Sequence, residues 1–201
     1  VRKAIAKELE EKGFLIKAED YQNKVGTSER TGAVIEPRLS DQWFLKMKEL
    51  AQPAIEAVMA DDAEIQLIPE KFKNTYRHWM ENVIDWNISR QLWWGHQIPV
   101  YYCQSDDCSN VWASEDTPEN CPKCSIKEFK QDPDVLDTWF SSGLYPLNTL
   151  GWPNEEAMKE KGFDKFYPTS TLTTGFDIIF FWVARMMMMC DKATGKNPFK
   201  D

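Results

Sequence analysis

The sequence of 201 residues has no long hydrophobic run. Its most apolar window, from Ile178 to Cys190, is 13 residues long and includes Arg185. A helix that crosses a membrane needs about 20 apolar residues, so this window predicts a buried helix. The chain does not open with a basic stretch followed by an apolar one. We therefore predict no signal peptide and no contact with a membrane.

Positive charge is scarce as well. There are 24 lysines and arginines against 32 aspartates and glutamates, which gives a net charge of -8. This balance excludes a protein that binds nucleic acid over its whole surface, because such binding depends on neutralising phosphates. Contact with RNA would need a local basic patch. Lys71, Lys73 and Arg77 form one on a predicted helix, although such faces more often only meet solvent.

Cysteines are few, but four of the five lie in one cluster. Cys103 and Cys108 form a C-x4-C pair, and Cys121 and Cys124 form a C-x2-C pair. Two short-spaced pairs can each bind one side of a tetrahedral Zn²⁺, and soft thiolates suit zinc. The alternatives are four free thiols or two disulfides. We predict a structural zinc ribbon over residues 103–129, because four protein ligands leave no open position on the metal.

Clustered cysteines of this kind are typical of a reducing compartment. We therefore predict a cytoplasmic protein. The fifth cysteine, Cys190, lies in the apolar window and is expected to be a buried core thiol.

Hydrophobic periodicity predicts two further helices. One covers residues 52–60, with Pro53 in its first turn, where a missing N–H costs nothing. The other follows Pro69 and is amphipathic. Its apolar face consists of Phe72, Tyr76, Trp79, Met80 and Val83.

Short apolar runs predict strands over residues 65–68, 135–140 and 169–174. The last run is followed by Gly175 and then by the buried helix, and strand, turn and helix are half of a βαβ unit. The predicted fold class is therefore α/β, with a partial Rossmann-like parallel sheet, helices and the small inserted zinc ribbon.

Three long motifs carry a more specific signal. They are WNISRQLWWGHQIP at residues 86–99, DVLDTWFSS at 134–142 and TTGFDIIFFWVARM at 173–186. Together with the ribbon between the first two, they resemble, in the same order, blocks of the class I aminoacyl-tRNA synthetases for valine, isoleucine and leucine. The doubled tryptophan Trp93-Trp94, Thr138 and Ser141 match the valine version.

The resemblance implies activation of L-valine by ATP with Mg²⁺, followed by transfer to tRNA(Val). It implies that Trp94 and Trp139 wall the side-chain pocket across one cavity, with Asp137 orienting it. It further implies that Gly175 and Asp177 hold the ATP ribose, with Gly95 and His96 near the adenylate. From the residues alone, either tryptophan could instead fill a core, and Asp177 could be a helix N-cap.

The same resemblance divides the chain into four parts. Residues 1–40 would be the end of an editing insertion and a connector, 41–102 and 130–201 parts of the catalytic core, and 103–129 the ribbon. Both chain ends look like cuts through a larger protein, so the rest of that chain is an expected partner. The two family motifs that hold the triphosphate do not occur. We therefore expect no catalytic residue here and no activity from the isolated chain.

Two alternatives remain. An isoleucine or leucine enzyme is disfavoured by Leu92, Trp93 and Ser141. A zinc-ribbon module that binds RNA without catalysis is disfavoured by the net charge of -8.

Overall fold

The computed structural model of the protein describes residues 2–22, 24–29 and 31–201. These residues form two compact units, Val1–Asp41 and Gln42–Asp201. Val1, the first residue of the predicted segment 1–40, lies outside the described residues. The assignment of that segment to an editing insertion stays a prediction.

Among its described residues, the first unit contains one helix, α1 (Arg2–Glu11). An ion pair between Lys12 and Glu8, one turn apart, joins Nζ to Oε1 at 2.6 Å. The other residues that the structure describes in this unit are mostly extended, and Thr27 and Val34 form an antiparallel bridge. Apolar side chains such as Ile16 and Leu39 are almost fully exposed. The unit therefore buries little apolar surface.

The second unit is built around three helices: α2 (Met47–Met59), α3 (Phe72–Glu81) and α8 (Ala184–Thr194). The predicted amphipathic helix is confirmed as α3, with Tyr76 and Met80 buried. The hydroxyl of Tyr76 donates a hydrogen bond of 2.9 Å to the carbonyl oxygen of Ala54. This bond satisfies the one polar atom that Tyr76 brings into the core, and burial raises the pKa of that hydroxyl.

Helix α2 starts earlier than predicted. It begins at Met47, so Pro53 lies inside the helix and not in its first turn. The cause is a distant side chain: Oδ1 of Asp85 accepts a hydrogen bond of 3.1 Å from the backbone N–H of Met47. That carboxylate satisfies one of the free N–H groups at the helix start.

The predicted buried helix is confirmed, with a modified start. A 3-10 turn at Phe176–Ile178 and a π-helical turn at Ile179–Val183 precede α8. Met186, Met187 and Cys190 of α8 are fully buried. Within the described part of the chain, no helix has the length and apolar character needed to cross a membrane.

In residues 2–22, 24–29 and 31–201 the strands are short and make three small antiparallel sheets. The pairs are β1 (Phe44–Leu45) with β2 (Trp86–Asn87) and β3 (Ser89–Arg90) with β7 (Val135–Leu136). The third sheet has the order β5 (Val111–Ala113), β4 (Val100–Cys103), β6 (Phe129–Gln131).

The expected Rossmann-like parallel sheet is not present in the ranges that the structure describes, and this prediction is corrected. The parallel pairing found there is a single bridge between Thr169 and Phe199. The backbone N–H of Gln66 donates to the carbonyl of Lys200 at 2.8 Å, so segment 65–68 reaches the same edge. An apolar run predicts that a segment is extended, but it does not predict which other segment pairs with it. Here the extended segments make isolated hydrogen bonds and one bridge, not the regular ladder of a parallel sheet.

The predicted strand 135–140 ends at Leu136, because the chain enters α4 (Thr138–Gly143) two residues later. The side chain of Asp137 caps this helix by accepting from the N–H of Trp139. Three more short helices follow: α5 (Tyr145–Thr149), α6 (Glu155–Lys161) and α7 (Phe163–Phe166). They enclose a second small core of Leu147, Phe163, Tyr167 and Cys190.

Candidate functional site

The four clustered cysteines meet at one end of the three-stranded sheet. Cys103 is the last residue of β4, and Cys108 follows a turn in which its N–H donates to the carbonyl of Ser105 at 3.1 Å. The other pair lies in a tight turn, closed by a hydrogen bond of 2.8 Å from the N–H of Ser125 to the carbonyl of Cys121. All four sulfur atoms lie within 4.8 Å of one another.

The sulfur positions suit a metal ion. Sγ of Cys103 lies 3.5 Å from Sγ of Cys124, and Sγ of Cys108 lies 3.9 Å from Sγ of Cys121. A tetrahedron with metal–sulfur bonds of about 2.3 Å has edges of about 3.8 Å. The cluster can therefore hold an ion with four thiolate ligands and little rearrangement.

One thiol of the cluster is already disposed to ionise. Burial alone would raise the pKa of Cys121, but hydrogen bonds from the backbone N–H groups of Cys124 and Lys123 and from the neighbouring thiols hold it at about 6. The thiolate is the form that binds metal, and within this cluster it is favoured at Cys121, whereas the neighbouring sulfur atoms raise the pKa values of Cys103 and Cys124.

The ribbon has a very small apolar core. The rings of Tyr101, Trp112 and Phe129 contact one another with centroids 5.7 to 5.8 Å apart. They come from the three strands β4, β5 and β6. Three rings bury too little area to fold such a module alone, so a metal would contribute much of its stability.

Asp132 links the end of the ribbon to the start of the second unit. Its Oδ2 accepts hydrogen bonds of 2.8 Å from Nε1 of Trp43 and from the hydroxyl of Tyr102, and its Oδ1 accepts from the N–H of Asp134. Burial opposes ionisation of this carboxyl, but the three donors outweigh it and lower its pKa. The buried carboxylate thus joins three separate parts of the chain.

We expect Asp132→Asn to destabilise the 201-residue chain by about 2 kcal/mol at neutral pH, because hydrogen bonds to a charged group contribute roughly 1.5–3 kcal/mol. Because folding lowers the pKa of Asp132, its carboxylate stabilises the folded chain at pH values above the unfolded pKa of about 3.9. This stabilisation is lost as the pH falls through the pKa of the folded state. The difference between the two proteins should therefore shrink towards about pH 3. Urea unfolding at both pH values measures it.

Asp61→Asn is the matched control, since Asp61 is exposed. It should change the free energy of unfolding by less than about 0.5 kcal/mol at either pH. An Asp132→Asn protein with the same acid limb as the wild type would show that the carboxylate does not stabilise the fold.

The loop after β3 forms one side of an open cleft of about 590 Å³. Trp93 and Trp94 are almost fully exposed there. The cleft is lined by Leu92, Trp93, Trp94, Gly95, His96, Leu136, Thr138 and Ser141. The structure thus brings three predicted site residues, Trp94, Gly95 and His96, next to the second long motif.

Gly95 lets this loop approach β7. Its φ is +153°, and a Cβ atom there would lie 2.9 Å from Cγ2 of Val135. A side chain would therefore push the loop away from the strand. The hydrogen bond of 2.8 Å from the N–H of Leu136 to the carbonyl of His96 depends on the same close approach.

Trp139 and Asp137, at the start of α4, belong to a cluster of side chains from all three long motifs. Oδ2 of Asp137 accepts from Nε1 of Trp86 at 2.9 Å and from Nη2 of Arg90 at 2.6 Å. Asp137 is buried. The indole of Trp139 is half-buried, and its ring centroid lies 6.2 Å from that of Phe181.

Trp94 and Trp139 are therefore placed differently. Trp94 lines the open cleft with its neighbours, whereas Trp139 is not among the lining residues and packs towards α8. Both motifs border the cleft, but the pocket walled by two indoles stays a prediction.

Gly175 lines a second cleft of about 590 Å³, formed by segments 66–69, 171–176 and the chain end. A Cβ atom at Gly175 would lie 2.6 Å from Oδ1 of Asp177, so a side chain would displace this carboxylate. Asp177 is exposed inside the 3-10 turn, whose N-cap is Gly175. The alternative of Asp177 as an ordinary N-cap is therefore wrong, while its role towards ribose stays a prediction.

A family model of class I tRNA synthetases (I, L, M and V) matches residues 6–201. The chain belongs to the class I tRNA synthetase family. The family predicted from the three long motifs is thereby confirmed.

Relatives within this family have one name in common. The chain is 55% identical over its full length to a valine–tRNA ligase of Wolinella succinogenes, and 54% identical over its full length to one of Pseudothermotoga lettingae. It is 52% identical over 99% of its length to a valine–tRNA ligase of Clostridium acetobutylicum. The chain spans 22% of the length of each of these relatives.

The sequence did not predict three residues that the structure places around Asp137 and Trp139. Trp86 and Arg90 meet at Asp137, and the guanidinium of Arg185 lies 3.9 Å from the ring centroid of Trp86. The signal for Arg185 was its position as a charged residue inside the most apolar window. Trp86 and Arg90 lie in the first motif, but only the fold brings them to Asp137.

Proposed function

We propose that the chain is a segment of a valine–tRNA ligase. The whole protein would activate L-valine with ATP to give valyl-adenylate and pyrophosphate, and then transfer the valyl group to tRNA(Val). The observation that carries this proposal is the identity of 52–55% to valine–tRNA ligases along practically the whole chain. An isoleucine or leucine enzyme and a non-catalytic RNA-binding module are less favoured, because neither accounts for that likeness.

The cleft beside Trp94 is the proposed site for the valine side chain. Supporting it are the exposed indole, the apolar edge of Leu136 and the small residues Thr138 and Ser141. An apolar pocket distinguishes one methylene by only about 1–3 kcal/mol, a figure for which valine and isoleucine ligases are themselves the standard example. Rigid walls are therefore needed, and Trp139 would supply the second one in the complete protein.

The second cleft is the proposed place of the nucleotide. Gly175 leaves its backbone open to a ligand, and the exposed carboxylate of Asp177 is able to accept hydrogen bonds from both hydroxyls of a ribose. Gly95 and His96 would approach the adenylate from the first cleft. No residue of this chain is proposed to carry out a chemical step, and Mg²⁺ would enter with ATP.

The extended segments 65–68, 169–172 and 198–201 are proposed to be strands of a larger parallel sheet in the complete protein. The parallel bridge at Thr169 and the hydrogen bond of 2.8 Å between Gln66 and Lys200 support this. Ligands of open α/β sheets bind beyond the carboxyl ends of such strands. Gly175 would have that position.

The cysteine cluster is proposed to hold a structural Zn²⁺. Four thiolates at tetrahedral spacing suit this ion and leave no position for a substrate. The ion would fix the ribbon that connects the first long motif to the second. A reducing cytoplasm would keep the four thiols available.

The test uses the full-length protein in valine-dependent exchange of pyrophosphate into ATP. We expect Trp94→Ala and Trp139→Ala each to lower kcat/KM for valine about 10- to 100-fold, because each removes a large apolar wall and 1.4 kcal/mol corresponds to tenfold. Trp152→Phe is the control, since Trp152 packs in the separate small core around Leu147.

Exchange that depends on isoleucine or leucine and not on valine would overturn the proposal. Full activity of both alanine variants would leave the enzyme assignment intact but remove the two-indole pocket. The isolated 201-residue chain should stay at background in the same assay, because it spans 22% of the length of its relatives.

A further inference from the structure

A half-buried cation, Arg185, lies behind the proposed pocket wall. Arg185 is the second residue of α8, and its guanidinium carbon lies 3.9 Å from the ring centroid of Trp86, 5.7 Å from that of Trp139 and 5.9 Å from that of Phe181. A planar guanidinium can stack on aromatic rings in a way that the ammonium of lysine cannot. One side chain thus contacts three rings, one from each of the three long motifs.

This arrangement is costly for the fold. Nη1 of Arg185 is buried and has no hydrogen-bond partner within the described ranges. An unsatisfied buried donor destabilises a protein, and a methionine at this position would carry no such donor. Burial also lowers the pKa of this guanidinium, to which the charge of Arg90 adds, while Asp137 partly compensates.

The same rings are fixed from the other side. Nε1 of Trp86 donates to Oδ2 of Asp137, and Oδ1 of Asp137 accepts a bond of 3.2 Å from the backbone N–H of Trp139. The backbone at Trp139 is thereby set by Asp137, but its indole ring is not. The guanidinium carbon of Arg185, 5.7 Å from the ring centroid, is a charged group that contacts the ring itself.

We propose that Arg185 is a positioning residue that holds the indole of Trp139 in place, and so sets the width of the amino-acid pocket. This inference rests on the proposed function, because it requires Trp139 to bound that pocket. Arg185 is not among the residues that line the proposed pocket. It acts on the choice of amino acid through the ring.

The test compares Arg185→Met and Arg185→Lys in the full-length protein, with Lys192→Met as the control on the exposed side of the same helix. The readout is the ratio of kcat/KM for valine to kcat/KM for isoleucine in pyrophosphate exchange. We expect Arg185→Met to lower this ratio about 3- to 30-fold, the range that corresponds to losing a partly buried cation–π contact. Most of the change should be in KM.

Arg185→Lys separates positioning from charge. It keeps the cation but loses the flat group that spans the rings, so we expect it to lower the ratio at least about 3-fold. It also decides the question if the methionine variant does not fold. Near-ultraviolet circular dichroism of the variants should change in the tryptophan region, which reports ring order independently of activity.

The outcomes are distinct. A wild-type protein without valine-dependent exchange defeats the proposed function. An active wild type whose valine-to-isoleucine ratio and tryptophan dichroism are unchanged in Arg185→Lys defeats the positioning role alone. A lower ratio in Lys192→Met, equal to that in the arginine variants, defeats it as well.

Discussion

Replacing Cys121 by serine is expected to abolish metal binding and unfold the ribbon of residues 103–129. Cys121 is fully buried at the centre of the cluster, 3.9 Å from Sγ of Cys108. A serine hydroxyl does not ionise at neutral pH and is a poor ligand for a soft site. The remaining three thiols would hold the ion weakly.

The effect should be large because few interactions other than metal binding stabilise the ribbon. Its apolar core is the three rings of Tyr101, Trp112 and Phe129. Binding of a structural Zn²⁺ contributes about 10–16 kcal/mol in small modules of this kind, which matches or exceeds the total stability of about 5–15 kcal/mol of a typical domain. Loss of the ion should therefore unfold the ribbon completely.

Elemental analysis and amide hydrogen exchange measure the two effects. The wild-type chain should contain about one zinc, as a four-thiolate site requires, and Cys121→Ser almost none. Protection of the amides in 103–129 should be lost in the variant and also in the wild type after chelation. The ribbon prediction fails if the wild type holds no metal, or if the variant keeps both its metal and its protection.

Cys190→Ala is the matched control. Cys190 is fully buried in the core beside Leu147, away from the cluster. Burial raises the pKa of its thiol to about 12, so it stays protonated. We expect the alanine variant to lose some overall stability and to keep its zinc.

Local patterns in the sequence predicted the features that depend on neighbouring residues. The spacing of Cys103, Cys108, Cys121 and Cys124 was sufficient to predict that the thiols meet, because a single turn of the backbone joins the two cysteines of each pair. The helical face of Tyr76 and Met80 was sufficient because burial follows the period of the helix. In both cases the chemistry and the geometry lie within a few residues.

Features that depend on distant contacts were missed. The early start of α2 requires Asp85, which lies 38 residues after Met47. The three-way contact of Arg185 with Trp86, Trp139 and Phe181 joins parts of the chain that no periodicity connects. The predicted strand 135–140 failed for the opposite reason, because the N-cap Asp137 turns the chain into a helix within an apolar run.

The position of Trp94 has a related explanation. An apolar residue in a motif predicts burial, yet its indole is 93% exposed. The chain spans 22% of the length of the valine–tRNA ligase from Wolinella succinogenes. Local patterns in a sequence do not show which segment, if any, a side chain of this kind contacts.

The second large effect is expected at Gly151. This residue follows α5 with φ of +88°, and a Cβ atom there would lie 2.6 Å from the carbonyl carbon of Ala157. Ala157 is in the first turn of α6, where its N–H is held by the side chain of Asn154 at 2.9 Å. Since the contact is with backbone, no side-chain rotation can relieve it.

We expect Gly151→Ala to destabilise the chain by about 2–6 kcal/mol, the sum of roughly 1–3 kcal/mol for the left-handed backbone and a similar amount for the clash. Gly195→Ala isolates the first contribution, because Gly195 has φ of +68° but nothing within 4 Å of its Cβ position. That variant should lose only about 1–2 kcal/mol. Urea unfolding of the two variants, followed by tryptophan fluorescence, gives the difference. Equal losses would mean that α6 moves away freely, and that the small core around Leu147 and Phe163 does not hold it against the turn.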